Sequence, residues 1–193
     1  RSYLLFLTAD HGGAHNFQWM EDHKMNGGAW RVKEDVMGSE LKTYLRDKLG
    51  ADLSIINGIN GYRVYLNHGK IKELGLTVSQ VKEALIDYAR QMPHVQFVLD
   101  FEKVNTWSVP DAIRSRALLG YHPHRAGDLL LVLEAGWYEF WPASSKTGTT
   151  HGSWNPYDSH IPLLFYGWNV NHGSTSREVH ITDIAPTVTQ LLH

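Results

Sequence analysis

Asp10 and His11 stand side by side and are followed at once by Gly12 and Gly13. A carboxylate oxygen and an imidazole nitrogen are both good zinc ligands, and two glycines let the backbone bend and approach whatever sits there. The four residues close an apolar run, Tyr3 to Leu7, that ends at Thr8. Runs of four to eight apolar residues read as strands buried on both faces, and in open α/β sheets ligands bind beyond the carboxyl ends of such strands. A surface turn uses the same Asp and Gly residues, so the local sequence leaves metal binding and a turn both open. The second candidate is the loop Lys146–His160, KTGTTHGSWNPYDSH, which carries His151 beside Gly152. Loops of that length between buried strands are more often functional than not, although a plain surface histidine fits the same letters. His160 precedes a strand and is read as making a structural hydrogen bond. His122, His124, His172, His180 and His193 lack ligand-like context and are read as structural, and the Asp22-His23 pair as solvated.

Other chemistries are excluded or unsupported. His11 and His15 have the i, i+4 spacing of a zinc helix, but the glutamate is missing and the glycines oppose a helix. There is no G-x-S-x-G elbow, no G-x-x-x-x-G-K-[ST] phosphate loop and no G-x-G-x-x-G dinucleotide fingerprint. None of the 193 residues is cysteine, which removes thiolate zinc sites, Fe–S clusters, catalytic thiols and disulfides. A formal charge of −2 without a long basic run argues against a nucleic-acid surface. No apolar run approaches the roughly 20 residues that span a bilayer, so neither nucleic acid nor membrane is expected as a partner. With 42% apolar and 20% charged residues the chain is an ordinary globular protein with enough length for a substantial core.

The elements that must position these residues form an α/β pattern. Tyr3–Thr8, Asp128–Leu133 and Ile161–Tyr166 read as buried strands of a mostly parallel sheet. Ser39 is placed to cap a helix that Gly50 stops. Ser108, Pro110 and Asp111 open a helix running to about Leu119. A last helix starts near Thr182, keeps Pro186 in its first turn, and is expected to bury Ile184, Val188, Leu191 and Leu192. The middle differs. Leu53–Asn57 and Tyr62–Leu66 flank an Asn60-Gly61 turn signal. Thr77 and Gln80 make a capping box, and Val95, Phe97, Leu99 and Phe101 alternate with other residues at period two. Residues 51–104 therefore read as an inserted ββαβ subdomain with one wet face, set into a core formed by 1–50 and 105–193. A chain that starts at Arg1 inside a strand pattern and ends at His193 without a cap reads as a fragment.

Four stretches, LLFLTADHGG, RAGDLLLVLEAGWYEFW (Arg125–Trp141), HGSWNPYDSHIPLLFYG and VHITDIAPTVTQLL, span nearly the whole chain. In that order they resemble the C-terminal part of the alkaline phosphatase superfamily. The likeness is greatest to the bacterial phosphate-irrepressible, monoesterase-type alkaline phosphatases and their nucleotide pyrophosphatase relatives. The resemblance implies an alkaline-phosphatase-like core with two neighbouring zinc ions. It places Asp10 and His11 on the zinc that activates the nucleophile, and His151 on the zinc that stabilises the leaving-group oxygen. It implies hydrolysis of phosphate monoesters through a phosphorylated Ser or Thr. That nucleophile, and the remaining ligands, belong upstream of the TADHG segment, so no catalytic nucleophile is expected in this chain. The missing N-terminal half becomes its necessary partner, and a periplasmic or secreted location follows from the resemblance alone. The chain by itself is expected to bind zinc weakly and to show no turnover. Two alternatives stay open: a nucleotide pyrophosphatase/phosphodiesterase or sulfatase of the same superfamily, and a non-catalytic binding or structural domain.

Overall fold

A computed structural model of the chain describes residues 3–140 and 147–192. Trp141, Lys146 and His193, which entered the sequence reading, lie outside the described residues. In chain order the elements are β1 (Leu4–Thr8), α1 (Phe17–Asp22), β2 (Gly28–Trp30), α2 (Ser39–Leu49), β3 (Ile56–Asn60), β4 (Arg63–Leu66), α3 (His68–Glu73), α4 (Val78–Ala89), β5 (Val95–Asp100), α5 (Asp111–Leu119), β6 (Leu129–Leu133), β7 (Trp137–Glu139), α6 (Pro156–Ser159), β8 (Leu163–Gly167) and α7 (Ile184–Leu192). They fall into two compact units, Arg1–Asp10 with His160–His193, and His11–Ser159.

In the first unit β1 and β8 pair antiparallel, from Leu4 opposite Gly167 to Thr8 opposite Leu163. Their side chains are not buried on both faces as the apolar runs predict: Leu5, Leu7, Leu164 and Tyr166 are all more than half exposed. An apolar run states what a strand prefers, and layers of other elements must supply the cover; a two-stranded ribbon has none of its own. Helix α7 departs in the same sense. Ile184, Val188 and Leu191 are half-buried, and Leu192 is exposed.

The second unit is built on a four-stranded sheet, in the order β3-β4-β6-β5, with every pairing antiparallel. A separate pair, β2 with β7, is parallel. Among the described residues the sheets are therefore mostly antiparallel, which corrects the expected parallel core. The cause of the misreading is visible in β6. Leu129, Leu131 and Leu133 join one apolar cluster, which includes Leu41, Leu45, Val81 and Leu85 of α2 and α4. Val132 joins the other, with Trp107, Ile113 and Ala117. Cover on both faces produces an unbroken apolar run whichever way the neighbours point. Each fully buried leucine contributes about 2 kcal/mol.

The same double cover removes the expected wet face at the end of β5, where Val98, Leu99 and Asp100 are all buried. The middle segment is ββααβ, since α3 precedes α4, and β6 from outside 51–104 lies between β4 and β5. The Thr77–Gln80 capping box forms as the spacing predicts. At α2 the cap position falls on Gly38 instead of Ser39, with Gly50 in the left-handed conformation at the other end. Pro110, without a side-chain cap, precedes α5. The hairpin turn lies one residue later than Asn60-Gly61. Asn60 pairs with Arg63, and Gly61 and Tyr62 both take positive φ, +56° and +64°. That is the handedness a two-residue hairpin turn needs.

Candidate functional site

Strand β1 ends at Thr8, and Asp10 follows as an exposed residue in the first unit. From His11 onward the chain belongs to the second unit, where three backbone hydrogen bonds fasten it to the loop that carries His151. Gly12 N–H donates to the Asp158 carbonyl (2.7 Å), Gly13 N–H to that of Tyr157 (3.0 Å) and Ala14 N–H to that of Thr150 (3.2 Å). The Thr149 hydroxyl donates back to the Ala14 carbonyl. Gly12 is required for this approach, because a Cβ there would overlap the Tyr157 carbonyl; at Gly13 the nearest atom would be 3.9 Å away.

The result is that His11 and His151, far apart in sequence, stack face to face, with ring centroids 3.4 Å apart and planes 11° from parallel. His11 Nδ1 lies 2.6 Å from the Gly12 carbonyl oxygen. A carbonyl can only accept, so Nδ1 is the donor in this contact. A main-chain carbonyl that fixes the tautomer in this way is how ligating histidines are commonly oriented.

The His151 loop owes its shape to a buried polar core around the short helix α6. Asn155 and Asp158 are both only 3% exposed. The Asn155 carbonyl accepts from the N–H groups of Asp158 (2.9 Å) and Ser159 (3.0 Å). Its side-chain amide donates to the Tyr157 hydroxyl (3.0 Å), and that hydroxyl accepts from Gly136 N–H (3.2 Å). Asp158 Oδ2 accepts from Ser153 N–H at 2.6 Å. Asp158 Oδ1 is buried with no partner among the described residues.

Beside the loop lies the β3–β4 turn. Tyr62 N–H donates to buried Glu139 Oε2 (3.0 Å), and Glu139 N–H donates to the Tyr62 hydroxyl (3.2 Å). The Tyr62 ring would sit 3.6 Å from a Cβ at Gly152. Burial pushes the Tyr62 phenol well above its ordinary range. Burial also raises the Glu139 carboxyl, against the opposing pull of the Tyr62 and Gly61 N–H groups.

Of the residues singled out from the sequence, the structure brings His11 and His151 together and places Asp10 at the end of β1 in the other unit. Among the described residues no group of three or more His, Asp or Glu forms a set that could hold a metal ion. His160 is exposed, and His122 accepts locally from His124 N–H. Asp22 and His23 are both exposed, in line with a solvated pair, and His23 also stacks on Trp19 at 4.1 Å, its Nδ1 2.7 Å from the Trp19 carbonyl. Sequence reasoning missed Asn155, Tyr157, Asp158, Glu139 and Tyr62. The one available signal was the Asn-Pro-Tyr-Asp string, where Asn and Pro mark a turn leading into a helix.

No family model matches the chain. Alkaline phosphatase PafA of Elizabethkingia meningoseptica is 40% identical over 191 residues, covering 99% of this chain and 34% of the relative. A Myroides odoratus protein named calcium-transporting ATPase is 40% identical over 192 residues, 99% of this chain and 34% of its own. Alkaline phosphatase PhoV of Synechococcus elongatus is 38% identical over 192 residues, 100% of this chain and 33% of its own. The crystal structure of wild-type PafA superposes with a TM-score of 0.87 at 39% identity, over 98% of this chain and 35% of that one. The chain thus spans about a third of the length of the relatives it matches. It is a mixed α/β homologue of the alkaline phosphatases PafA and PhoV in sequence, and of PafA in fold, over that third.

Proposed function

We propose that this chain supplies part of the metal-holding rim of a zinc-dependent phosphate monoesterase, with Asp10 and His11 toward one zinc and His151 toward its neighbour. The observation that carries the reading is the His11–His151 stack, which holds two imidazoles side by side at the end of two clamped loops. The residues fit the group in kind. The His11 Nδ1 is committed to the Gly12 carbonyl, so Nε2 is the ring nitrogen that would meet a metal. They do not fit it in number, since a catalytic zinc draws three protein ligands and no such group of three occurs among the described residues. When bound, a zinc pair offsets charge on the attacking and departing oxygens of a phosphate ester. This chain's part is to orient two imidazoles; the Ser or Thr nucleophile that the resemblance implies is not among its residues. The phosphatase names of PafA and PhoV support the substrate class, and the periplasmic or secreted location rests on the resemblance. Among the described residues no helix is long and apolar enough to cross a membrane.

Calorimetric titration of zinc into the 193-residue chain, with a p-nitrophenyl phosphate assay alongside, tests this reading. Weak binding is expected, far short of the roughly 10–16 kcal/mol of structural zinc sites. It should weaken further in His11→Ala and in His151→Ala, without turnover in any of the three. Tight binding of two ions or sustained hydrolysis contradicts the partial-site reading, and binding indifferent to both substitutions contradicts the ligand assignment.

A further inference from the structure

We infer that Asp158 is the positioning residue that sets His151 against His11. It grips both histidine-bearing segments at once. Its backbone carbonyl takes the N–H of Gly12, the residue next to His11 (2.7 Å), and its side-chain Oδ2 takes the N–H of Ser153, two residues past His151 (2.6 Å). The first grip is main chain and belongs to any residue at this position. The second needs a carboxylate or an equivalent acceptor of the same reach, and at 2.6 Å it is a short, charge-assisted bond of the stronger kind.

Among the described residues the Ser153 N–H is the partner given for this carboxylate. The residue is 3% exposed, and Oδ1 is buried with no partner among the described residues. A buried carboxylate with one oxygen unsatisfied lowers stability compared with a neutral residue of the same shape. What the charge provides is a fixed loop. The Asn155 carbonyl holds Asp158 and Ser159 N–H, the α6 turn presents the carboxylate, and the carboxylate holds Ser153. Gly152, between Ser153 and His151, takes φ +99°. A flexible glycine beside His151 leaves that imidazole free to swing unless the next N–H is tied down.

This deepens the proposed function and rests on it for its purpose, although the geometry can be tested without metal. The experiment is NMR on the full chain carrying 13C-labelled histidine, with ring-proton shifts of His11 and His151 as the readout, in wild type, Asp158→Ala and Asp158→Asn. Two rings stacked at 3.4 Å shift each other's protons upfield. Asp158→Ala is expected to move both sets of shifts toward those of unstacked histidine. Asp158→Asn keeps an acceptor but loses the charge, so a partial move is expected, together with exchange of the Ser153 amide proton about five- to tenfold faster. Val81→Ala in the core, 0% exposed on α4, serves as the control: it lowers the Tm and leaves the histidine shifts in place. If Asp158→Ala does not fold, Asp158→Asn decides the matter alone. Unchanged histidine shifts and unchanged Ser153 exchange in Asp158→Asn overturn the inference. So do histidine shifts in the folded Asp158→Ala variant that match wild type. Adding zinc to the wild-type chain reads the other proposal separately: if neither histidine responds, the ligand assignment fails while the variant shifts still decide the positioning role.

Discussion

At the scale of single residues, the site depends on two that carry no chemistry of their own. Gly12 has no room for a methyl group because the Tyr157 carbonyl occupies that space, whereas Gly13 has 3.9 Å of clearance. Gly12→Ala should therefore cost about 3 kcal/mol or more, as buried steric conflicts do, and should separate the two loops. Gly13→Ala should stay within about 1 kcal/mol, and urea unfolding of the two variants side by side checks the contrast. Glu139 is the second. Burial raises its carboxyl pKa above the ordinary value of 4.5, so between the unfolded and folded values the folded chain holds a proton that the unfolded chain has released. Its contribution to stability is fully present below about pH 4.5 and is lost as pH rises through the folded-state value. Melting curves across that range should show the wild type losing stability relative to Glu139→Gln, which still offers Tyr62 N–H an acceptor. Parallel curves for the two proteins would contradict this. The close approach beside His11 was legible because Gly12 announces it. Asp158 was not, since its significance lies in contacts to Gly12 and Ser153 that arise only after α6 folds.

At the scale of elements, position and type were largely readable, and partners were not. The capping box of α4 is a local contract between Thr77 and Gln80, and it forms as written. Strand pairing is not local. The run DLLLVL reports that β6 is covered on both faces, which is true, but the letters are the same for parallel and antiparallel neighbours. The β3–β4 turn slipped by one residue because Tyr62, a residue that rarely takes positive φ, does so here, with its N–H held by Glu139. The join between α4 and β5 is made by a buried ion pair, Lys82 Nζ to Asp100 Oδ1 at 3.0 Å, with both side chains under 5% exposed. Lys82 also reaches Glu102 Oε2 at 2.9 Å. Burial opposes the lysine charge, but these two carboxylates outweigh it and hold the lysine pKa above normal. Lys82→Met leaves the Asp100 carboxylate buried without its cation, for a loss of about 3–5 kcal/mol. Replacing Asp100 by Leu in the same chain should recover much of that loss, and equilibrium denaturation of single and double variants measures both.

At the scale of the whole molecule, the His11–Ser159 unit carries both apolar clusters around its four-stranded sheet and the His11–His151 stack. The unit of Arg1–Asp10 and His160–His193 carries Asp10 and leaves the apolar side chains of β1 and β8 largely exposed. PafA and PhoV share this third of their length with the chain at 38–40% identity. The proposed ligand roles of His11 and His151 make metal occupancy the quantity to measure. X-ray diffraction at the zinc absorption edge, from crystals of the chain soaked in zinc, reads it directly. Anomalous peaks are expected within bonding distance of His11 Nε2 and of a His151 ring nitrogen. Zinc found only elsewhere, or rings 11 and 151 lying apart with no ion at either, would contradict the account.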